Sequence, residues 1–207
     1  MKNILIHGLG QDRSSWDQVK KYLDEESVTV QCPNLYELFE NDPYTYQTLY
    51  QNFERQVNNY PGKVNLCGLS LGGLLALDYA KNYPEKVNSL ILIGLPYKIP
   101  KLLMTIQAMV FKLMPESNFT QLGLGKDEFI SLIASTKDLS IATHLEEITC
   151  KTLLICGEKD RFNLTSSQRF HTAIKNSEFS LVNNSGHEVN VDNPQVLAQL
   201  IAGFWKN

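Results

Sequence analysis

The sequence predicts an α/β fold, with a doubly wound, mainly parallel sheet of six strands and helices on both faces. Short runs rich in Val, Ile and Leu alternate along the chain with segments of helical periodicity. Several of these runs are almost continuously apolar, which is typical of parallel strands buried on both faces. Parallel strands require crossovers, so the alternation indicates helices between them. The length of 207 residues suits one domain, and we expect a single domain over residues 1–207.

The strands and helices follow from these patterns in chain order. The six predicted strands are Asn3–Ile6, Val28–Gln31, Val64–Cys67, Ser89–Ile93, Thr152–Cys156 and Phe179–Val182. Helices are predicted to begin near Ser14, Asp42, Ser70, Thr165 and Pro194, from capping residues followed by apolar residues at helical spacing.

The alternation stops between about residues 96 and 148, where the sequence predicts no strand. Helices are expected over residues 101–114 and 126–136, with a third near 139–147. An insertion between strands is a common place for a lid over a binding site, so we predict a small helical lid here. The alternative is ordinary helical packing against the sheet.

Composition and charge argue against several functional classes. A net charge of −3 gives no sign of the basic face that nucleic-acid binding normally needs. The apolar run Ile4–Ile6 is too short for a signal peptide or a membrane span, so we expect a cytoplasmic protein without stable membrane insertion. Cys32, Cys67, Cys150 and Cys156 form no C-x-x-C pair and are predicted to be reduced, structural thiols.

The strongest chemical signal is Gly68-Leu69-Ser70-Leu71-Gly72, a G-x-S-x-G pentapeptide between an apolar strand and an apolar helix. In such a tight turn a Cβ atom at Gly68 or Gly72 would collide with the passing chain. The turn places the serine in a strained conformation that exposes its hydroxyl beside a helix N-terminus. The pentapeptide alone could arise by chance, but this context predicts Ser70 as a nucleophile.

A serine hydroxyl becomes a good nucleophile only when an oriented base removes its proton. His187 follows the last predicted strand and Asp160 follows the strand before it. Because the carboxyl ends of parallel strands meet at one edge of a sheet, we expect both near Ser70. Glu158 and Asp192 are fallback acids. His7 is expected to brace its loop through a hydrogen bond, and His144 and His171 are expected to have surface or packing roles.

The same chemistry requires two donors for a developing oxyanion. The backbone N–H of Leu71 supplies one, and that of Leu9, in the loop His7–Gly10, is predicted to supply the other. Leu9 should also wall an acyl pocket. Further pocket residues are expected in the first helix of the insertion: Leu103, Ile106, Met109 and Val110. The alternative is that these four form the buried face of a helix. No metal site is predicted.

Together these motifs resemble the α/β-hydrolase family, and the likeness spans nearly the whole chain. It includes the H-G-x-G loop at 7–10, the serine turn at 68–72, Gly-Glu-Lys-Asp at 157–160 and Ser-Gly-His at 185–187. The order Ser, Asp, His along the chain is the family's order. Family members usually begin with an antiparallel strand pair that is missing here, and the chain is most similar to compact carboxylesterases and thioesterases.

The resemblance implies hydrolysis of a small-molecule ester or thioester through an acyl-enzyme, without a cofactor, by a monomer or homodimer. Serine rather than aspartate at position 70 argues against halide or epoxide opening. Other classes stay open, since one fold hosts many functions. They are a same-fold lyase or perhydrolase, an interfacial lipase and a non-catalytic ligand-binding protein.

Overall fold

The fold is built on a parallel sheet whose strands follow one another in chain order. A computed structural model describes residues 1–39, 42–99, 109–120 and 124–206. The strands are β1 Lys2–Ile6, β2 Val64–Leu69, β3 Val87–Ile93, β4 Lys151–Gly157 and β5 Ser177–Val182. Each pairs in parallel with the next, in the order β1-β2-β3-β4-β5. The prediction of a parallel α/β fold is confirmed.

Helices cover both faces of this sheet. They are α1 Asp17–Glu25, α2 Tyr46–Asn58, α3 Leu71–Asn82, α4 Ser117–Thr120, α5 Lys126–Thr136, α6 Arg161–Ala173, α7 Val189–Asp192 and α8 Pro194–Lys206. One apolar cluster joins a sheet face to α1 and α8, and a second joins the other face to α2, α3 and α6. No helix among the described residues is long and apolar enough to cross a membrane.

The winding of the chain explains why both faces are covered. The steps from β2 to β3 and from β4 to β5 run in one direction across the sheet, so right-handed crossovers put α3 and α6 on the same face. The segment after α1 instead reaches the outer side of β1 at Gln31. This step runs the opposite way, so α1 lies on the other face, where α8 joins it.

The prediction of a sixth strand at Val28–Gln31 is wrong, because only Gln31 pairs with β1. Gln31 exchanges backbone hydrogen bonds of 2.8 and 2.9 Å with that strand. The N–H of Val28 is already engaged by the carbonyl of Leu23 at the end of α1, at 2.8 Å. Pro33, which has no N–H, follows soon after. The segment therefore contributes a single bridge, and the sheet has five strands.

The inserted segment between β3 and β4 has no strand in its described part, and the predicted helix over residues 126–136 is confirmed as α5. The third predicted helix is reduced to the 3-10 turn Leu145–Glu147. Residues 109–113 are helical, while 101–108 of the first predicted helix lie outside the described residues. Phe129, Leu132 and Ile133 of α5 pack in the same core as α2 and α3. Movement of this segment as a lid stays a prediction.

The carboxyl ends of the strands gather the residues on which the chemical argument depends. His7 follows β1, Ser70 follows β2, Gly94 follows β3, Asp160 lies three residues after β4, and His187 lies five residues after β5. Because the strands are parallel, these positions share one edge of the sheet.

Candidate active site

The turn at Ser70 has the strained geometry that the pentapeptide predicts. Ser70 has φ 51° and ψ −111°, a conformation that side-chain-bearing residues rarely adopt. A Cβ atom on Gly68 would lie 2.2 Å from the carbonyl oxygen of Gly72, and one on Gly72 would lie 2.3 Å from that of Ile6. The N–H of Ser70 donates to the carbonyl of Ile93 at 2.9 Å, which fastens the turn to β3. Both glycines are therefore required by close backbone approach.

His187 and Asp160 form a close pair beside this turn. His187 Nδ1 lies 2.8 Å from Asp160 Oδ2, and the Asp160 residue is only 8% exposed. Burial raises the pKa of Asp160, but hydrogen bonds from His187 and Asn163 outweigh it and hold the pKa below its ordinary value. The carboxylate is therefore ionised at neutral pH. Ser70, Asp160 and His187 line one cavity of about 320 Å³.

The two fallback acids brace the loop that carries His187. Glu158 Oε2 accepts a hydrogen bond from the N–H of Asn184 at 2.9 Å. Asp192 Oδ2 accepts one from the N–H of Gly186 at 2.6 Å. Both carboxylates are thus engaged with backbone on either side of the loop, while Asp160 faces the imidazole. This arrangement favours Asp160 over the other two as the partner of His187.

The loop after β1 is held by His7, which is fully buried. Its Nε2 accepts from the N–H of Leu35 at 2.9 Å, so Nδ1 carries the proton and donates to the carbonyl of Gly8 at 2.9 Å. Burial lowers the pKa of His7, because a charged ring would lose its hydration there. The ring is therefore neutral and has a bracing role, as the sequence predicts.

Three backbone N–H groups in and directly after this loop have hydrogen-bond partners. Gly8 donates to Gln11 Oε1 at 3.3 Å, Gly10 to Tyr36 Oη at 2.9 Å, and Gln11 to the carbonyl of Gly8 at 3.3 Å. Within the described part of the chain, the N–H of Leu9 has no such partner. Leu9 also lines the cavity with Ser70. Its N–H is therefore available to a ligand there.

The cavity lining is mainly apolar. Its apolar lining consists of Leu9, Leu71, Leu74, Pro96, Ile99, Leu132, Ile133 and Phe162, and its polar lining of Ser70, Thr136, Asp160, Asn163 and His187. Phe162 is 54% exposed, whereas Leu132 and Ile133 of α5 are buried. No Lys or Arg belongs to this described lining. The described residues also contain no cluster of three or more metal-ligating side chains.

Two of the predicted pocket residues lie elsewhere. Met109 and Val110 are 61% and 51% exposed and are not part of the described cavity lining. Helical periodicity identifies an apolar face but not what that face contacts, and here α5 supplies the wall instead. Leu103 and Ile106 lie outside the described residues.

Sequence reasoning missed two residues of the site, Gly94 and Asn163. Gly94 has φ 58°, and a Cβ atom there would lie 3.0 Å from Nδ1 of His187. Asn163 contacts both His187 and Asp160. Their positions after β3 and near the end of β4 were a usable signal, because those ends lie at the same edge as Ser70.

Comparison with known proteins places this geometry in a family. The sequence profile of the alpha/beta hydrolase family matches residues 4–200, and the chain belongs to that family. It is 25% identical to a Bacillus subtilis protein provisionally named 2-succinyl-6-hydroxy-2,4-cyclohexadiene-1-carboxylate synthase, over 97% of this chain and 89% of that protein.

A second relative and a solved structure extend the comparison. The chain is 35% identical to a pimeloyl-acyl-carrier-protein methyl ester esterase of Aromatoleum aromaticum, over 44% of this chain and 36% of that protein. It superposes on an esterase from Thermogutta terrifontis with a TM-score of 0.80 and 20% identity, covering 100% of this chain and 89% of the esterase. The structural likeness supports the fold.

Proposed function

We propose that this chain is a serine hydrolase that cleaves carboxylic esters or thioesters through an acyl-enzyme on Ser70. The observation that carries the proposal is the 2.8 Å contact between His187 Nδ1 and Asp160, at a cavity that Ser70 also lines from a strained turn. A base oriented by a buried acid at the same cavity as a half-buried serine is the arrangement that activates a hydroxyl for acyl transfer.

In the first half of the proposed reaction, Ser70 Oγ attacks the carbonyl carbon while His187 Nε2 takes the hydroxyl proton. Asp160 stabilises the resulting imidazolium. The N–H groups of Leu9 and Leu71 hold the oxyanion, since the first is free and the second begins α3. Collapse of the tetrahedral intermediate breaks the bond to the alcohol or thiol, which leaves with the proton from His187.

In the second half, water repeats these steps on the acyl-enzyme. His187 takes a proton from the water as its oxygen attacks the ester carbonyl, and returns a proton to Ser70 Oγ as the acid is released. The same groups act in both halves, so the scheme uses only residues that line the cavity or its loops.

The cavity favours an acyl group that is apolar and uncharged. Its lining includes the buried side chains of Leu132 and Ile133, and the described lining has no Lys or Arg to pair with a carboxylate on the substrate. An unpaired charge in such a place would lose its hydration without compensation. The exposed rim near Phe162 leaves room for the alcohol or thiol.

The proposal is tested with p-nitrophenyl esters from acetate to decanoate. The parent should hydrolyse them and Ser70→Ala should lose at least about 10³-fold in kcat, since the nucleophile is removed. Ser166→Ala is the matched control, because this serine is half-buried like Ser70 but lies outside the cavity lining. Absence of turnover by the parent on every ester, or equal rates in Ser70→Ala, would contradict the proposal.

A same-fold lyase is the second candidate, favoured by the Bacillus subtilis relative whose provisional name is that of a synthase. The name of that relative's product includes a carboxylate, which the described cavity lining has no Lys or Arg to bind. An elimination leaves no acyl group on serine. Acid quenching during ester turnover, followed by mass measurement, separates the two: an acyl adduct on Ser70 supports the hydrolase.

A further inference from the structure

Asn163 makes several contacts with Asp160 that have no part in the reaction steps proposed above. Its Nδ2 lies 2.8 Å from Asp160 Oδ2 and 3.1 Å from Oδ1, and its backbone N–H donates to Oδ1 at 3.2 Å. The residue is buried. We infer that Asn163 is a positioning residue that holds the Asp160 carboxylate in line with His187, an inference that rests on the proposed function.

Helix capping explains only part of these contacts. Asp160 is the N-cap of α6, and its acceptance from the backbone N–H of Asn163 is an ordinary cap. In a capping box the side chain three residues on would reach back to the N–H of the cap residue. That N–H donates instead to the carbonyl of Gly157 at 3.0 Å. The amide of Asn163 is therefore directed at the carboxylate for a purpose other than capping.

The contacts also decide which nitrogen of His187 carries the proton. Nδ1 lies 2.8 Å from Asp160 Oδ2 and 3.2 Å from the Nδ2 atom of Asn163. A carboxylate only accepts and the amide nitrogen only donates, so a proton on Nδ1 goes to Asp160. One amide hydrogen of Asn163, shared between the two oxygens of the carboxylate, keeps Oδ2 facing Nδ1. Nε2 is then left unprotonated, as a base for Ser70 must be.

The orientation of the Asn163 amide follows from the carboxylate beside it. Oδ1 is buried and has no hydrogen-bond partner among the described residues. Turning the amide over would point that oxygen at the carboxylate of Asp160, which is worse. An apolar residue at this position would no longer donate a hydrogen bond to the carboxylate of Asp160.

The test compares Asn163→Leu, which keeps the size of the side chain without hydrogen bonds, and Asn163→Ala with the parent. The matched control is Gln168→Leu, an exposed position on the same helix. On p-nitrophenyl butyrate, kcat should fall about 10- to 100-fold, the loss seen when outer partners of metal-binding histidines are removed. KM should change less than kcat, because the amide contacts Asp160 and His187, which act in the chemical step.

A spectroscopic readout separates this role from a structural one. The ¹⁵N shifts of the His187 ring, assigned by their loss in His187→Asn, should report an Nδ1–H ring in the parent and a growing Nε2–H fraction in both Asn163 variants. Thermal unfolding should match the parent. An unchanged tautomer in both variants, or a kcat within about twofold of the parent, overturns the inference. Because the tautomer is read without substrate, this outcome is distinct from a parent that hydrolyses no ester.

Discussion

Two histidines at the same edge of the sheet have opposite hydrogen-bonding environments. His7 is fully buried and satisfied by backbone on both ring nitrogens. The side chain of His187 is 42% exposed, and its Nδ1 faces a carboxylate. The first environment keeps a ring neutral and fixed, whereas the second stabilises a ring that gains a proton during a reaction.

The buried state of His7 predicts a loss of stability in mild acid. Its folded pKa is lowered from 6.5, so below pH 6.5 the unfolded chain binds a proton that the folded chain excludes. The free energy of unfolding should therefore fall as pH drops below that value, by at most about 1.4 kcal/mol for each pH unit until the folded pKa is reached.

Urea unfolding at pH 7.5 and 5.5 measures this effect. His7→Gln should show a smaller loss than the parent between the two pH values, although it is less stable at both because it disturbs two hydrogen bonds. His171→Gln, at an exposed histidine, should keep the parent's loss. Equal losses in the parent and His7→Gln would show that the ring is not held neutral.

Single residues were predictable where covalent spacing dictates their geometry. The sequence predicts that the serine turn requires glycine at positions 68 and 72. In the structure, a Cβ atom at either position would collide with the backbone. Gly94 and Asn163 were not recognised, because their roles depend on which loops meet across the sheet edge. The spacing of residues within one segment does not show which loops lie next to each other in the fold.

At the level of elements, α5 supplies part of the cavity wall, a role that its sequence pattern does not predict. Leu132, Ile133 and Thr136 of this helix line the cavity. The periodicity of α5 indicates a buried face, but both the core and a pocket wall satisfy that pattern. Only the packing of the inserted segment against α2 and α3 decides between them.

This placement predicts that α5 sets the length of acyl chain that the cavity accepts. Ile133→Phe should fill part of the cavity. The ratio of decanoate to butyrate hydrolysis should then fall by about 10-fold or more, because methylenes that no longer fit lose their burial. Ile130→Phe is the matched control, on the same helix but outside the cavity lining. Thermal unfolding checks for overpacking, which would lower stability without changing the ratio. An unchanged ratio in a stable variant would place the acyl chain elsewhere.

At the level of the whole molecule, alternating apolar strands and helices were enough to predict a parallel sheet covered on both faces. The error at Val28–Gln31 arose because a strand pattern does not show that the end of α1 already engages the first N–H. The right-handed crossover rule limits the possible strand orders, and the structure shows which of them occurs. The family is then fixed by a match over residues 4–200.

The central claim is that Ser70 is a nucleophile activated by His187 and Asp160. It is tested most directly with a fluorophosphonate, which phosphonylates an activated serine and changes the intact mass. We predict one adduct, mapped by peptide sequencing to Ser70, absent in Ser70→Ala and formed at least about 100-fold more slowly in His187→Asn, which lacks the base. No adduct on Ser70 in the folded parent, or equal labelling of Ser70 in His187→Asn, would contradict the account.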